Sequence, residues 1–286
     1  MRRPPCPTRP GGFAGLALAA LLLLPGLAPS LAGASGLDCA KAATTVEKTI
    51  CADPALRAGD SAMADAFADL LRAVPEADKP AVRAAQRQWL TARNACPDAA
   101  CLADRQAERL AALNAALADT RQRYLDERAR MRTLLGWPDS CEASYRDMIS
   151  PEGMGYGVWW TGIEAYPLGG ERRLYLVQCD QAAYQATYTA VLQETPGGPG
   201  RVLRIPTGAG PGEREETLVG EPVFDAVKGT LTLLTKARGV GDCGTRAVYA
   251  FAPGGGATLV ELRARDCPRE PKAYVPPERW PLVKPR

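Results

Sequence analysis

The sequence contains no histidine. That excludes Ser-His-Asp and Cys-His catalysis together with histidine-ligated metal centres. Nine cysteines are present, yet no pair has C-x-x-C spacing, so zinc is disfavoured. No serine sits in a G-x-S-x-G elbow. The Gly153-Met154-Gly155-Tyr156-Gly157 run neither follows a strand nor opens a helix, so it reads as a turn and not as a phosphate cradle. Carboxylates are the remaining catalytic candidates. Glu164, Asp225 and Asp242 fall near strand-rich segments. Two of them would suffice for glycoside hydrolysis, but nothing in the sequence selects a pair. The other chemically interesting run is Gly157-Val158-Trp159-Trp160-Thr161-Gly162. Adjacent strand residues point to opposite faces, so one of Trp159 and Trp160 is core while the other is free to stack on a sugar or anchor a partner. The sequence therefore assigns no catalytic residue, cofactor or metal.

The cysteines point to compartment. Arg2, Arg3 and Arg9 precede an apolar core from Gly15 to Leu24, and Ala32-Gly33-Ala34 supplies a small-x-small site. This reads as a signal peptide cleaved after Ala34, with a retained N-terminal anchor as the alternative. The apolar run is too short for an ordinary membrane span. Cys6 leaves with the signal. Cys39, Cys51, Cys96, Cys101, Cys141, Cys179, Cys243 and Cys267 remain, an even set that reads as a disulfide framework in a periplasmic or secreted protein. Paired cysteines leave no thiolate nucleophile. Loss of the three leader arginines from 35 basic residues leaves 32 against 32 acidic ones. A neutral chain argues against nucleic acid as a partner. The basic stretch Arg263–Arg286 reads as a solvated tail.

These residues need elements to position them. From Leu37 to Leu135 the chain is rich in Ala, Leu, Arg and Asp and reads as helices. A first helix is expected over Cys39–Cys51. Asp53-Pro54 reads as an N-cap followed by a first-turn proline. Leu56, Met63, Phe67, Leu70 and Val74 then recur at helical spacing. After Pro75 and Pro80, Val82, Gln86, Trp89, Leu90 and Arg93 share a helix, with Trp89 expected in the core. Arg93 on that face needs a partner, and Asp60 on the preceding helix is the candidate, as a register device. Pro97-Asp98 restarts the chain. Leu102, Leu110, Leu113, Leu117, Tyr124, Met131 and Leu135 continue one stripe, as one long helix or two in tandem, until Gly136-Trp137-Pro138 stops it. A straight helix would hold Cys39 and Cys51 about 18 Å apart, too far for one bridge. The expected pairing is therefore Cys51–Cys96 with Cys39–Cys101.

The helical half resembles the LprI-like lysozyme-inhibitor family. The matching residues are Cys39, Glu47, Ile50-Cys51, Leu56 with Asp60, the Gln86-x-x-Trp89-Leu90-x-x-Arg93-x-x-Cys96 run, and Cys101. Phe67 departs from the tyrosine common there. The resemblance covers about a third of the chain and implies a disulfide-stapled helical module. It also implies a lysozyme as the target, though fold transfers between relatives more readily than activity.

After Pro138 the composition shifts to Gly, Val, Thr and Tyr. Short strands are expected over 156–166, 172–179, 185–193, 202–205, 230–235, 245–251 and 258–264, with glycine-rich loops between them. Cys243 and Cys267 each lie twelve residues from Gly255 in the Pro253-Gly254-Gly255-Gly256 turn, so a regular hairpin places them opposite each other. Cys141–Cys179 follows by elimination. This half resembles a bacterial exported family of unknown function. The residues that carry the resemblance are Cys179 with Ala183-Tyr184, Gly241-Asp242-Cys243-Gly244, the Leu259–Arg265 strand, Cys267 and Trp280-Pro281.

The expected class is α+β. A signal peptide (1–34) precedes a disulfide-stapled helical bundle (35–136) and an antiparallel β-rich domain (139–286), a sandwich or small barrel. The expected function is a non-catalytic binding protein or inhibitor. Its partner would be a lysozyme or another envelope protein. An envelope protein without inhibitory activity and a glycan-active hydrolase are the alternatives.

Overall fold

A computed structural model describes residues 36–150, 152–153, 160–208, 210, 212–267 and 274–283. The expected signal peptide, Trp159, residues 154–157 of the glycine run and parts of the basic tail lie outside the described residues.

The helical half starts with a single 3-10 turn, Cys39–Lys41, and continues as α1 (Thr45–Ala52), α2 (Pro54–Ala73), α3 (Lys79–Asn94), α4 (Ala99–Leu135) and α5 (Asp139–Met148). Three of these starts are capped by a side chain. Thr44 and Glu47 form a reciprocal capping box at α1. Asp53 accepts from the Ala55 and Leu56 N–H groups ahead of α2, with Pro54 in its first turn. Asp98 accepts from Cys101 N at 2.8 Å to start α4. The stripe of α4 is one unbroken helix of 37 residues, about 55 Å long. Its N-terminal part packs on α2, where Met63, Leu70 and Val74 meet Leu113, flanked by Leu110 and Leu117. Gly59 makes close approach possible. A Cβ there would stand 2.7 Å from Oε1 of Gln106, whose amide donates to the Leu56 carbonyl.

The disulfides of this half differ from expectation. They join Cys39 to Cys51 and Cys96 to Cys101, with Cα separations of 5.6 and 5.5 Å. The expected Cys51–Cys96 and Cys39–Cys101 pairs rested on a straight helix from Cys39. The chain instead makes its 3-10 turn, breaks at Ala42–Thr44 and enters α1 from a cap, which folds Cys39 back over the end of α1. Cys96–Cys101 clasps the turn between α3 and α4.

The β half is one antiparallel sheet in the order β1-β2-β3-β7-β8-β9-β10, with β4 also pairing β3. The strands are β1 (Ile163–Pro167), β2 (Arg173–Gln181), β3 (Ala186–Gln193), β4 (Gly200–Val202), β7 (Thr217–Asp225), β8 (Thr230–Lys236), β9 (Gly244–Phe251) and β10 (Ala257–Arg265). A two-stranded ribbon, β5 (Ile205–Pro206) with β6 (Arg214–Glu215), lies between β4 and β7. Several bounds depart from the expected strands. β1 begins at Ile163, the 202–205 segment divides into β4 and β5, and β7 and α5 were not foreseen. Leu174 and Leu176 of β2, Ala190 and Leu192 of β3, and Leu231, Leu233, Ala247, Tyr249 and Phe251 of β8 and β9 share one core, so the sheet curls over itself. The alternate residues Tyr175, Val177, Cys179 and Val191 face the other way and pack on Leu135, Trp137 and Cys141. Strand β2 is thus buried on both faces, one under the sheet and one under the helices.

The Cys243–Cys267 bridge closes the β9–β10 hairpin, with Cα atoms 4.9 Å apart. The hairpin pairs Phe251 with Ala257, which centres its turn one residue before Gly255. A bulge between Leu259 and Glu261 shifts the register and leaves Arg265 opposite Gly244, next to both cysteines.

Arg128 locks the helices to the sheet. It is 1 % exposed on α4. Its Nε–H donates to Glu142 Oε2 on α5 at 2.8 Å, Nη1–H to the Thr161 carbonyl at 2.8 Å, and Nη2–H to the Gln178 carbonyl on β2 at 3.0 Å. The guanidinium lies 3.5 Å from the Tyr145 ring centroid and 5.1 Å from that of Trp137. Glu142 also accepts from Trp137 Nε1 at 3.2 Å and from Arg146 Nε at 2.9 Å. Tyr145 donates its hydroxyl to the Trp160 carbonyl at 2.6 Å. Gly162 turns the chain here with φ +65°, and a Cβ on it would stand 2.6 Å from the Tyr145 ring. The Cys141–Cys179 bridge joins α5 to β2 beside this cluster, with Cα atoms 4.5 Å apart. Closing that 38-residue separation contributes about 4 kcal/mol on the chain-entropy account.

Replacement of Arg128 by Ala removes three bonds and leaves the buried Glu142 carboxylate to Trp137 and the half-exposed Arg146, so urea denaturation is expected to show a loss of about 3 kcal/mol. Arg128→Lys recovers little of it, because an ammonium cannot serve three separate acceptors from a planar fork. Peptide mapping without reduction is expected to give the linkages Cys39–Cys51, Cys96–Cys101, Cys141–Cys179 and Cys243–Cys267.

Candidate interaction surface

The residues singled out in the helical half converge. Asp60 and Arg93 meet at 3.3 Å, with relative exposures of 5 % and 7 %. The second Asp60 oxygen accepts from Leu37 N at 2.8 Å, which ties the entering chain to α2. Arg93 donates its Nε–H and an Nη2–H to Asn94 Oδ1 and lies 5.5 Å from the Trp89 ring centroid. Trp89 is half-buried and not full core; its indole N–H donates to the Arg105 carbonyl on α4 at 3.1 Å. Gln86 accepts from Arg109 Nε at 2.9 Å. These four side chains link α2, α3 and α4, each with at least one polar atom engaged inside the module.

The surface beside them is different. Ile50, Leu56 and Leu102 form a small core at one end of the bundle, with Leu37, Val46 and Cys96 packed on it. Both helical disulfides stand at that end. The turn Cys39–Lys41 and the Cys96–Asp98 turn project from it, largely exposed. Among the described residues Lys41 pairs with Asp38, at 3.0 Å, and their side chains are 84 % and 54 % exposed. A pair that open to water is worth little, so Lys41 is available to a partner's carboxylate. The rim is held by Glu47, which accepts from the Ala43 and Thr44 N–H groups at 2.8 and 2.9 Å. Those bonds, Thr44 first, keep its carboxyl below the usual glutamate range.

The three candidate carboxylates each have their own hydrogen-bond partners and share none. Glu164 on β1 accepts from the Tyr166 hydroxyl. Asp225 caps the β7–β8 turn by accepting from Val227 N and Lys228 N, each at 3.0 Å. Asp242 pairs with Arg238, whose hydrogen bonds hold it below the usual aspartate range. Asp225 and Asp242 sit at opposite ends of β8, about 20 Å apart at strand rise. That is beyond the spacing a glycosidase pair uses. Among the described residues no group of acidic or cysteine side chains converges to hold a metal ion. Of the tryptophan pair, Trp160 is 47 % exposed, and its carbonyl serves the Tyr145 hydroxyl.

Sequence reasoning missed Arg128 and its partners. The signal was present: Arg128 stands four residues after Tyr124 and three before Met131, on the apolar stripe of α4. A cation at a stripe position needs a buried acceptor, as Arg93 does.

Residues 138–284, just over half of the chain, match the family described as Protein of unknown function (DUF1176). The chain belongs to the DUF1176 family. Ahead of that region, residues 39–127 match the family described as Lysozyme inhibitor LprI. The LprI region ends within α4, and the DUF1176 region begins at Pro138, ahead of α5; Arg128 and Trp137 lie between the two, while Glu142, Tyr145, Thr161 and Gln178 fall inside the DUF1176 region. No match to the chain is found among the curated proteins or the solved structures. The disulfides, together with the LprI match, mark an extracytoplasmic protein.

The Glu47 cap predicts a pH dependence. Its folded pKa lies below the unfolded value, so its contribution is fully present above about pH 4.3 and is lost as pH falls through the lower folded value. Glu47→Gln is expected to flatten the fall in denaturant midpoint between about pH 5 and 3.

Proposed function

We propose that the protein is an exported, non-catalytic binding protein whose helical module inhibits a lysozyme. The observation that carries this reading is the LprI match over 39–127, on a module whose motif residues are all engaged in its own packing. Recognition then falls to the rim at the disulfide end. Its two turns are fixed by bridges over separations of 12 and 5 residues, so little conformational freedom is left to lose on binding. A lysozyme cleft presents two carboxylates, and Lys41 on a rigid turn offers the complementary cation. In this reading the chain is cleaved after Ala34 and acts in the periplasm or outside the cell, and Trp160 is a secondary contact.

A turbidity assay with the full chain against several lysozyme classes tests it. Inhibition of at least one class is expected. Lys41→Ala should weaken it by about tenfold, which is 1.4 kcal/mol, with thermal stability unchanged. Absence of inhibition up to tens of micromolar across those classes sinks the reading. An envelope-interaction role without inhibition would then take its place.

A further inference from the structure

The inner face of the curled sheet can be read row by row. Leu231 lies beside Tyr249, and Leu233 beside Ala247, which in turn faces Leu262. These side chains are buried in the β core. The next inward row, one pleat closer to the Cys243–Cys267 end, is Thr235, Thr245 and Ala264. All three are small. Thr245 points inward by register yet is exposed. The row does not fill the space under the β5–β6 ribbon, and a cavity of about 290 Å³ stays open there.

Its floor is Ile205, Leu218, Leu233, Ala247, Tyr249 and Leu262. The Tyr249 hydroxyl is committed to the Pro206 carbonyl at 3.2 Å, so the floor presents an apolar ring. Burial holds that phenol at about 12, neutral at any ordinary pH. At the mouth, Thr235 donates to the Val219 carbonyl, whereas the Thr245 hydroxyl has no hydrogen bond within the described residues. Among the described residues no Lys or Arg lines the cavity, and Thr207, Glu215, Thr217, Thr235 and Thr245 make its wall polar.

We propose that this cavity binds the aliphatic chain of a small amphiphile with an uncharged polar head. The volume is at the lower edge of small-molecule sites and has room for about eight to ten methylene-sized groups, counting roughly 30 Å³ for each. The apolar floor takes the tail, and the Thr245 hydroxyl meets the head. An anionic head is disfavoured, because it would stand near the Glu215 carboxylate with no lining cation among the described residues to pair it. The site is independent of the helical rim, so it stands whether or not a lysozyme is bound.

The test uses the full chain and the neutral fluorophore N-phenyl-1-naphthylamine, displaced by 1-decanol or by decanoate. Saturable one-to-one binding is expected, with decanol displacing the probe at least about tenfold better than decanoate. Thr245→Phe plugs the mouth at an exposed position and should cut affinity about tenfold or more, while Thr245→Ser retains it. Val260→Ser on the exposed outer face should change nothing. Methyl NMR gives a readout that needs no variant to fold: decanol should shift Leu233 and Leu262 and leave Leu113 of the helical half unmoved. Non-saturable uptake, equal binding by a natively folded Thr245→Phe, decanoate preferred over decanol, or unmoved Leu233 and Leu262 methyls would each overturn the proposal.

Discussion

A guanidinium removed from water holds the two halves of this protein together. Burying Arg128 costs several kcal/mol of solvation, and burial alone draws its pKa below the usual arginine range. The surroundings offset that cost from every side. Glu142 supplies the opposite charge, the Thr161 and Gln178 carbonyls take two further N–H groups, and Tyr145 and Trp137 offer ring faces. The partners come from several elements, so the arginine is satisfied only when α4, α5, the segment before β1 and β2 are all in place. The sheet is built to meet it. The β2–β3 ladder slips between Gln178 and Asp180, next to the carbonyl that accepts from Arg128. Gly162 adopts the one backbone conformation that lets the 160–162 carbonyls gather there.

The four disulfides divide by what they constrain. Cys39–Cys51 and Cys96–Cys101 are short-range and stiffen turns on one rim. Cys141–Cys179 and Cys243–Cys267 are longer-range and fasten whole elements, α5 to β2 and β9 to the chain beyond β10. Stiff turns suit a surface that must keep its shape against a partner. Fastened elements suit a joint and a hairpin that carry load. Apart from those cysteines, the residues that carry the helical-family resemblance belong to neither group. Asp60, Gln86, Trp89 and Arg93 each engage polar atoms inside the bundle and so support the end that carries the two short-range bridges.

The β half has one well-filled core and one end left open. Leucines and aromatics close the sheet around Leu174, Leu176, Leu231 and Tyr249, whereas threonines and alanine end the same inward rows toward the hairpin disulfide. The outcome is a sheet rigid enough to be held by Arg128 at one face and still hollow at its mouth.

Local physics made much of this readable from the chain. Helical spacing fixed α2 and α4, side-chain oxygens at Asp53 and Asp98 fixed where they start, and the Asp60–Arg93 contact followed from two charges on facing apolar stripes. The even cysteine count gave a disulfide framework, and equal distances from a glycine turn gave Cys243–Cys267. The Cys39–Cys51 and Cys96–Cys101 pairs were not readable, because they depend on where the chain breaks: a three-residue 3-10 turn brings together cysteines that a continuous helix would separate. Strand β7 escaped notice because Gly220 and Pro222 interrupt its pattern, and its pairing with β3 and β8 is settled across the sheet. The same holds for Arg128 and for the open mouth. The sequence carried an arginine on an apolar stripe and threonines in strands. Which carbonyls that arginine reaches, and which threonines face inward without filling the space, depends on contacts between segments up to 50 residues apart, and only the tertiary structure decides those.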